Sequence, residues 1–345
     1  MESKFPIDAK LRQTVASEIQ DPNHMNDLSS QESTHGAENS HIEIGCVATP
    51  AMLSGDWGIR NSLIKQVTDQ NIDHLFMADH VSFINGAGMD AMINAATLAA
   101  MHPTLKICLG VYLLALRHPV TVARQLSTLA LSAPGRITLG VGVGGEDRHE
   151  MEVCGIDPAT RGRRTNECLE IVRELAKGEP LDFSGEFFNL ENALIKPQVK
   201  PPIPIMVGGR ANAAIRRAGL YSEGWLAVWC SASRFKAAIS EVQDIATEAN
   251  RGEVNWRHGL QIWVGADADK GRARQFVADQ MQAFYKLPFE AFEKYSPYGS
   301  ADEIAEFLIP YAENGCKLFN IKACAADESS AIDAVGQIRE RLLKG

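Results

Sequence analysis

RITLGVGV, at residues 136–143, is a short run with almost no polar side chains, and Gly144 and Gly145 follow it directly. Continuous apolar character over a few residues is typical of a parallel strand that is covered on both faces. The glycines match G-x-G-x-x-G, but a dinucleotide-binding fingerprint must open directly into a helix whose amides meet the phosphates. Here Glu146 and Asp147 follow, and their negative charge would repel a phosphate. The stretch therefore predicts a buried strand of an α/β fold, without a dinucleotide site.

Seven more runs of this kind alternate with amphipathic stretches along the chain. The eight runs are 42–48, 73–79, 106–113, 136–143, 203–209, 224–229, 259–265 and 317–323. Stretches with helical spacing lie at 58–70, 91–101, 119–132, 162–177, 210–220, 232–250, 270–283, 301–314 and 328–343. Eight strands that are each followed by a helix predict a TIM barrel, the closed (β/α)8 fold. An open, doubly wound sheet is the alternative.

Three connections and one terminal segment interrupt this alternation. The connections 144–161, 178–202 and 284–300 are long, and connections beyond about 12 residues are usually functional or disordered. We expect them to form insertion loops at the C-terminal mouth of the barrel, where they would set specificity, with 284–300 as a candidate lid. Residues 1–40 are polar, nearly free of aromatic side chains and without a sustained period, which predicts a flexible N-terminal extension before a barrel at 41–345.

Composition narrows the possible functions. The net charge is -9 and no basic cluster stands out, which argues against nucleic-acid binding. No stretch approaches the roughly 20 apolar residues of a membrane span, and no secretory signal is recognisable, so a cytoplasmic protein is expected. The seven cysteines are scattered without a C-x-x-C pair, which indicates small buried side chains rather than disulfides or a metal site.

Active-site residues of such barrels lie where strands end and the following loops begin. The second run ends at Asp79 and His80, a carboxylate and an imidazole that can orient a cofactor ring or move a proton. The alternative is that Asp79 caps a turn and His80 packs. After the fourth run, Glu146 and His149 belong to a dense titratable cluster that is the first place to seek a proton donor. A solvated loop with surface salt bridges is the alternative there.

Two other strand ends suggest contacts with a cofactor. Gly142 and Gly144 leave one face of the fourth strand bare, so that a planar ring or another backbone segment can approach closely. The apolar residues 112–116 can back such a ring, although an ordinary buried strand end is equally consistent. Residues 208–210, Gly-Gly-Arg, precede a helix, and glycines at a helix N-terminus with an arginine beside them suit an anion. Tight packing at Gly142 and a tight turn at 208–210 are the alternatives.

Taken together, several motifs resemble the luciferase-like monooxygenase family. They are Asp79-His80, LRHPV at 116–120 with ARQL at 123–126, GRITLGVGVG at 135–144, RGRR at 161–164 with Glu167, GEFF at 185–188, PIMVGG at 204–209 and EGW at 223–225. The match runs in order from about residue 41 to the C-terminus. The resemblance implies a barrel that binds reduced FMN or the deazaflavin coenzyme F-420 (F420), usually as a homodimer.

The resemblance also implies roles for particular residues. Asp79 and His80 would lie against the cofactor ring, and Gly208 and Gly209 would form the phosphate-binding turn. A non-proline cis peptide is expected after strand three, and Tyr112–Leu113 is the nearest position. In the deazaflavin branch a Gly-Glu-x-x-Asn-Glu segment follows strand four. Residues 145–150 occupy its place here, with Glu146 at the acid position and His149 in place of the asparagine.

The leading hypothesis from sequence is an FMNH2-dependent monooxygenase that acts on a small organic substrate, with a separate flavin reductase as a partner. The alternatives are an F420-dependent dehydrogenase or reductase, a non-catalytic flavin-binding protein, and a hydrolase with Asp79 and Glu146 as its carboxylate pair. The expected catalytic residues are His80, Glu146 and His149. The expected cofactor-binding residues are Asp79, Tyr112, Leu113, Gly142, Gly144, Gly208, Gly209 and Arg210.

Overall fold

The computed structural model describes residues 42–84, 86–144 and 147–344. The predicted extension at 1–40 and the predicted acid Glu146 lie outside the described residues. The strands are β1 (Glu43–Val47), β2 (His74–Met77), β3 (Lys106–Tyr112), β4 (Ile137–Val141), β5 (Leu181–Ser184), β6 (Asn189–Ala193), β7 (Ile205–Gly208), β8 (Gly224–Val228), β9 (Gly259–Ala266), β10 (Tyr298–Gly299) and β11 (Leu318–Cys324).

Eight of these strands form a closed parallel barrel. They pair in the order β1-β2-β3-β4-β7-β8-β9-β11, and β11 pairs with β1 to complete the ring. Each of the eight predicted apolar runs coincides with one barrel strand to within a residue or two at its ends, so the predicted TIM-barrel fold is confirmed. Closure leaves no strand edge of the barrel unpaired.

The helices surround the barrel and begin at residues suited to helix N-termini. They are α1 (Pro50–Ser54), α2 (Trp57–Asp69), α3 (Ala91–Met101), α4 (Pro119–Ser132), α5 (Arg148–Val153), α6 (Arg161–Leu175), α7 (Asn212–Tyr221), α8 (Ala232–Glu248), α9 (Lys270–Tyr285), α10 (Ala301–Glu313) and α11 (Glu328–Lys344). Asp56, Asp90 and Ser231 cap α2, α3 and α8 by accepting hydrogen bonds from first-turn amides. The short helices α1 and α5 were not predicted from the sequence.

Alternating side chains of the strands divide the core into two parts. In β11, Phe319 and Ile321 pack outward into the large core between barrel and helices, whereas Leu318 packs with Met206 and Leu226 in a separate buried cluster. Full burial of one such side chain stabilises a fold by about 1.5–3 kcal/mol. Six of the seven cysteines are buried as predicted, Cys154 is half-buried, and all seven are free.

The insertion at the mouth is longer than expected. Tyr298 and Gly299 of β10 pair in parallel with Gly265 and Ala266 at the end of β9. Residues 267–300, including α9, therefore leave and return to the same end of the barrel, and α10 is the helix that leads to β11. The predicted candidate lid at 284–300 contains only two single-turn 3-10 helices and β10 after the end of α9.

The connection at 178–202 packs along α4 and α6, and its turn reaches the start of α6, where Arg163 pairs with Glu186 at 2.9 Å. It contains the antiparallel hairpin β5–β6, whose turn is held by Glu167 of α6 through the amides of residues 186–188. Further along, Arg124 of α4 donates to the carbonyl of Lys196 at 2.7 Å. The connection thus packs against α4 and α6, because their side chains satisfy its backbone polar groups. Among the described residues, no helix is long and apolar enough to cross a membrane.

Candidate active site

A cavity of about 200 Å³ opens at the C-terminal end of the barrel. The ends of β2, β3, β4, β7 and β8 bound it, together with Gln261 of β9 and two aromatic residues of α9, Phe284 and Tyr285. Ligand sites of parallel α/β barrels lie at this end of the strands. Of the predicted site residues, the lining includes Asp79, His80, Leu113, Gly142, Gly144, Gly208 and Gly209.

His80 and Glu150 form a hydrogen-bonded pair at this cavity. The Nδ1 atom of His80 lies 3.1 Å from Oε2 of Glu150, whose side chain is buried. A carboxylate holds the proton on the nitrogen that faces it, so the lone pair of the neutral ring lies on Nε2. No described residue forms a hydrogen bond with Nε2. His80 lines the cavity and is therefore placed to accept or donate a proton there.

Two further contacts hold this pair in place. The His80 ring stacks on Phe83 with centroids 4.1 Å apart, and Phe83 stacks in turn on Phe284. The Oε1 atom of Glu150 accepts hydrogen bonds from the backbone amides of Val81 and Ser82 at 2.7 and 3.2 Å. These contacts fix the position of the carboxylate relative to the His80 ring.

The orientation of helix α5 determines which residue of the predicted titratable cluster reaches His80. Asp147 caps α5 by accepting a hydrogen bond from the amide of His149 at 2.9 Å. That cap fixes the helix rotation so that Glu150 turns inward and His149 turns outward, with 72% of its side chain exposed. The expectation that His149 is catalytic is therefore corrected, because its nearest charged partner is Glu152 at 3.7 Å on the surface.

Asp79 lines the cavity, but both of its carboxylate oxygens already have partners. Oδ1 accepts the amide of Ala91 at 3.1 Å, and Oδ2 accepts the amide of Leu113 at 3.0 Å. Arg117 donates to both oxygens and also to Asp90. Asp79 is thus a buried anion that joins the ends of β2 and β3, and it offers the cavity no free oxygen.

Strand β3 is irregular next to the cavity. The peptide bond between Gly110 and Val111 is cis, and the strand register shifts between Leu109 and Tyr112. The cis bond therefore lies two residues before the position expected from sequence. The irregularity directs Val111 and Leu113 to the cavity. Tyr112 was expected to line the cavity, but it does not. Its ring is fully buried, and the Arg117 guanidinium lies 4.5 Å from the ring centroid.

The bare glycine face of β4 accommodates Val111. A Cβ atom on Gly142 would fall 2.4 Å from Cγ2 of Val111, and one on Gly208 would fall 2.9 Å from Cγ1. Close packing therefore explains why Gly142 and Gly208 lack side chains, so the packing alternative describes them better than direct ring contact. Gly144 has φ +66°, a left-handed conformation that favours glycine.

The turn after β7 leaves backbone donors available. Gly209 has φ +121°, and the indole of Trp225 donates to its carbonyl at 2.7 Å. The N-cap of α7 is Ala211, which has no side chain to accept from the first-turn amides. Arg210 was expected to line the cavity, but it does not. Its exposed guanidinium stacks on Trp229, 5.2 Å from the ring centroid, at the rim.

A chain of buried amides leads to the cavity from inside the barrel. His74 approaches Oδ1 of Asn320 at 2.7 Å through Nε2, and Nδ2 of Asn320 donates to Oε1 of Gln261 at 3.2 Å. Burial lowers the pKa of His74, which is therefore neutral with its proton on Nε2. Because the oxygen of Gln261 is occupied, its NH2 group is the donor left for a ligand in the cavity.

Aromatic side chains cover the cavity. Trp229 follows β8 with φ +46°, and it meets Tyr285 and Phe292 with centroids 4.9 and 4.8 Å apart. The indole Nε1 of Trp229 is buried without a hydrogen-bond partner among the described residues. These rings exclude water from the mouth and give it flat apolar walls.

Sequence reasoning missed Gln261, Phe284 and Tyr285 as cavity residues, and it missed Glu150 as the partner of His80. Glu150 was recognised as part of the acidic cluster, but a six-residue helix gives too weak a period to reveal its rotation. Phe284 and Tyr285 were placed at the start of a loop rather than at the end of α9. The isolated polar residue Gln261 within the apolar run 259–265 was the available signal for an interior position.

Comparison with known proteins identifies related sequences. The sequence model described as luciferase-like monooxygenase matches residues 63–314. An uncharacterized protein of Mycobacterium tuberculosis is 34% identical over 163 residues, which are 47% of this chain and 56% of that protein. The F420-dependent glucose-6-phosphate dehydrogenase of Nakamurella multipartita is 29% identical over 215 residues, 60% of this chain and 63% of the relative. These matches span little more than half the length of the curated relatives.

Solved structures share the fold. An F420-dependent secondary alcohol dehydrogenase in complex with an F420-acetone adduct superposes with a TM-score of 0.75 at 19% identity, covering 88% of this chain and 99% of the other. A monooxygenase from Streptomyces bottropensis gives a TM-score of 0.71 at 19% identity, with coverage of 88% and 99%. At this identity the likeness extends to the barrel and its insertions only.

Proposed function

This chain belongs to the luciferase-like monooxygenase family, and on that premise we propose that it is an F420-dependent oxidoreductase that interconverts a small alcohol and its carbonyl form. The observation that carries the proposal is the His80–Glu150 pair, in which Glu150 engages Nδ1 of a histidine that lines the cavity. Oxidation of an alcohol releases a hydride and a hydroxyl proton. A positioned imidazole is suited to take that proton near neutral pH.

The residues of the cavity fit a tricyclic ring with a phosphorylated tail. Val111, Leu226 and Val228 provide apolar walls, and the NH2 group of Gln261 supplies one donor for a ring heteroatom. Gly209 and the uncapped start of α7 supply amide donors for a phosphate. Arg210 at the rim adds positive charge beside that turn. When bound, F420 would supply two-electron hydride chemistry.

In this proposal each residue has a defined task. His80 takes the hydroxyl proton at Nε2 during oxidation and returns it during reduction. Glu150 keeps the proton of His80 on Nδ1 and stabilises the imidazolium that forms, as a buried carboxylate does beside a catalytic histidine. Asp79 and Arg117 hold the backbone of Leu113 and thereby the irregular end of β3. Trp229, Phe284 and Tyr285 exclude water.

The names of the relatives support both cofactors. F420-dependent dehydrogenases are found among the sequence relatives, and both an F420-dependent alcohol dehydrogenase and a monooxygenase are found among the structures. An FMNH2-dependent monooxygenase is the second candidate, and the aromatic cover favours it, because oxygen chemistry on reduced FMN must be shielded from water. A separate flavin reductase would then be a partner.

Binding and oxygen dependence distinguish the two candidates. The purified protein is titrated with F420, oxidised FMN and reduced FMN while its fluorescence is followed, and turnover of secondary alcohols with F420 is then measured without oxygen. We expect F420 to bind and to be reduced by an alcohol under anaerobic conditions. Binding of reduced FMN alone, with turnover that stops when oxygen is removed, would overturn the F420 proposal in favour of the monooxygenase.

A further inference from the structure

The mouth of the barrel contains a second cavity, of about 340 Å³, that has no part in the proposed reaction. It lies between the ends of β1 and β11 and the start of α11. Its polar lining residues are Thr49, Gln280, Lys322, Asp327 and Glu328. We call this space the β1–β11 cavity.

Lys322 is the only cation in the described lining of the β1–β11 cavity. Its Nζ lies 3.4 Å from the ring centroid of Trp263 and 5.8 Å from that of Phe284. In the part of the chain that the structure describes, no carboxylate is within salt-bridge distance of this Nζ. Burial lowers the pKa of the Lys322 ammonium to about 8.

Lys322 is half-buried, and a charge that is partly removed from water is costly unless an opposite charge or strong hydrogen bonds accompany it. A cation over an aromatic face recovers only part of that cost. The ammonium of Lys322 therefore lacks an anion, and it borders a cavity large enough to hold one. We propose that the β1–β11 cavity binds a small monocarboxylate through Lys322.

The other charges of the cavity favour a single negative charge over a double one. The hydroxyl of Thr49 donates to Glu328 at 3.0 Å, and the amide of Ser330 donates to Asp327 at 2.7 Å, so each of these two carboxylates already has a neutral donor. A phosphate dianion would meet these two charges with one ammonium to balance them. A carboxylate forms one ion pair with Lys322 and leaves its apolar chain against Ala323 and Ala331.

The ligand would lie beside the reaction cavity. Phe284 lines the first cavity, and its ring centroid lies 5.8 Å from Nζ of Lys322, which lines the β1–β11 cavity. The inference rests on the residues around Lys322 and does not depend on which cofactor the first cavity holds.

Chemical labelling of Lys322 tests the inference. The protein is treated with 1-fluoro-2,4-dinitrobenzene at a pH of about 8, and modification of Lys322 is followed by mass spectrometry of its peptide. Sodium butyrate is the probe, with inorganic phosphate and sodium chloride at matched ionic strength as comparisons. At five times its Kd, butyrate should slow the labelling of Lys322 about sixfold, because only the free protein reacts. Lys65, which is 73% exposed, is the internal control and should be unaffected.

A pair of variants completes the test. Calorimetric titration with butyrate should give a signal for the parent and for Lys322→Arg, which keeps the charge, and none for Lys322→Gln. Loss of protection by butyrate, or binding of butyrate by Lys322→Gln, would overturn the assignment of the site to Lys322. Equal protection by phosphate and butyrate would show that the cavity does not select a monocarboxylate. None of these outcomes bears on F420 or FMN binding in the first cavity.

Discussion

Glu150 differs from its acidic neighbours in what its oxygens touch. It is buried and accepts from two backbone amides and from His80, whereas Glu152, two residues later, is 54% exposed. The amides supply hydrogen bonds that persist when the carboxylate is ionised, and each such bond to a charged group is worth about 1.5–3 kcal/mol. At the scale of single residues, the proposed proton transfer therefore depends on Glu150 as a positioning residue for His80.

Substitution of Glu150 by Gln tests this role. The amide preserves the volume and one acceptor but removes the charge that stabilises imidazolium, so turnover should fall by about 10²-fold or more, the scale of a positioned acid or base. Cofactor affinity should change little. Glu152→Gln on the same helix is the matched control. Parental turnover in Glu150→Gln would remove the pair from the mechanism.

Short elements determine more of the site than long ones do. The six residues of α5 select Glu150 over His149, and the irregular end of β3 brings Val111 and Leu113 to the cavity. Among the longer elements, β8 and β9 are held together near their starts by His258, whose Nδ1 accepts the amide of Trp225 at 3.1 Å. The Nε2 atom of His258 has no partner among the described residues.

His258 should make the barrel sensitive to acid. Burial lowers its pKa from 6.5 to about 4 in the fold, whereas the unfolded chain takes up the proton near 6.5. The unfolded state thus binds more protons between these values, so stability is complete above pH ~6.5 and is lost as the pH falls toward 4, by about 3 kcal/mol.

Thermal unfolding at several pH values measures this effect. His258→Asn keeps an acceptor for the Trp225 amide and should show a flatter decline of Tm between pH ~6.5 and 4 than the parent. His149→Asn, an exposed histidine, should decline as the parent does. An unchanged slope in His258→Asn would show that this side chain does not set the acid sensitivity.

The sequence predicted the elements better than their arrangement at the mouth. Apolar runs and caps such as Asp90 and Ser231 are local signals, and the predicted helices at 91–101 and 119–132 have the observed bounds. The sequence predicted α9 as a barrel helix and only 284–300 as an insertion, because α9 has the periodicity of a barrel helix. The pairing of β10 with β9 shows that the insertion spans 267–300 and includes α9. The sequence also did not reveal the hydrogen-bond partners of Asp79, because Ala91 and Arg117 are distant from it in sequence.

At the scale of the whole molecule, one end of the barrel carries two adjoining cavities beneath a single insertion. The insertion supplies Phe284, which lines the first cavity and lies near Lys322, and Tyr285 and Phe292, which pack on Trp229. The predicted homodimer and the role of residues 1–40 remain predictions. The central claim is that a flavin or deazaflavin ring occupies the first cavity.

Filling that cavity tests the claim most directly. Ala78 lines it with an exposed side chain, so Ala78→Trp adds bulk inside the cavity without displacing core residues. Affinity for the preferred cofactor is measured by fluorescence titration, with Ala159→Trp, an exposed alanine outside the cavity, as the control. We predict that Ala78→Trp unfolds at the parental temperature but binds the cofactor at least about 100-fold more weakly, a loss of roughly 3 kcal/mol. Parental affinity in Ala78→Trp would contradict the account, because the ring would then have to bind elsewhere.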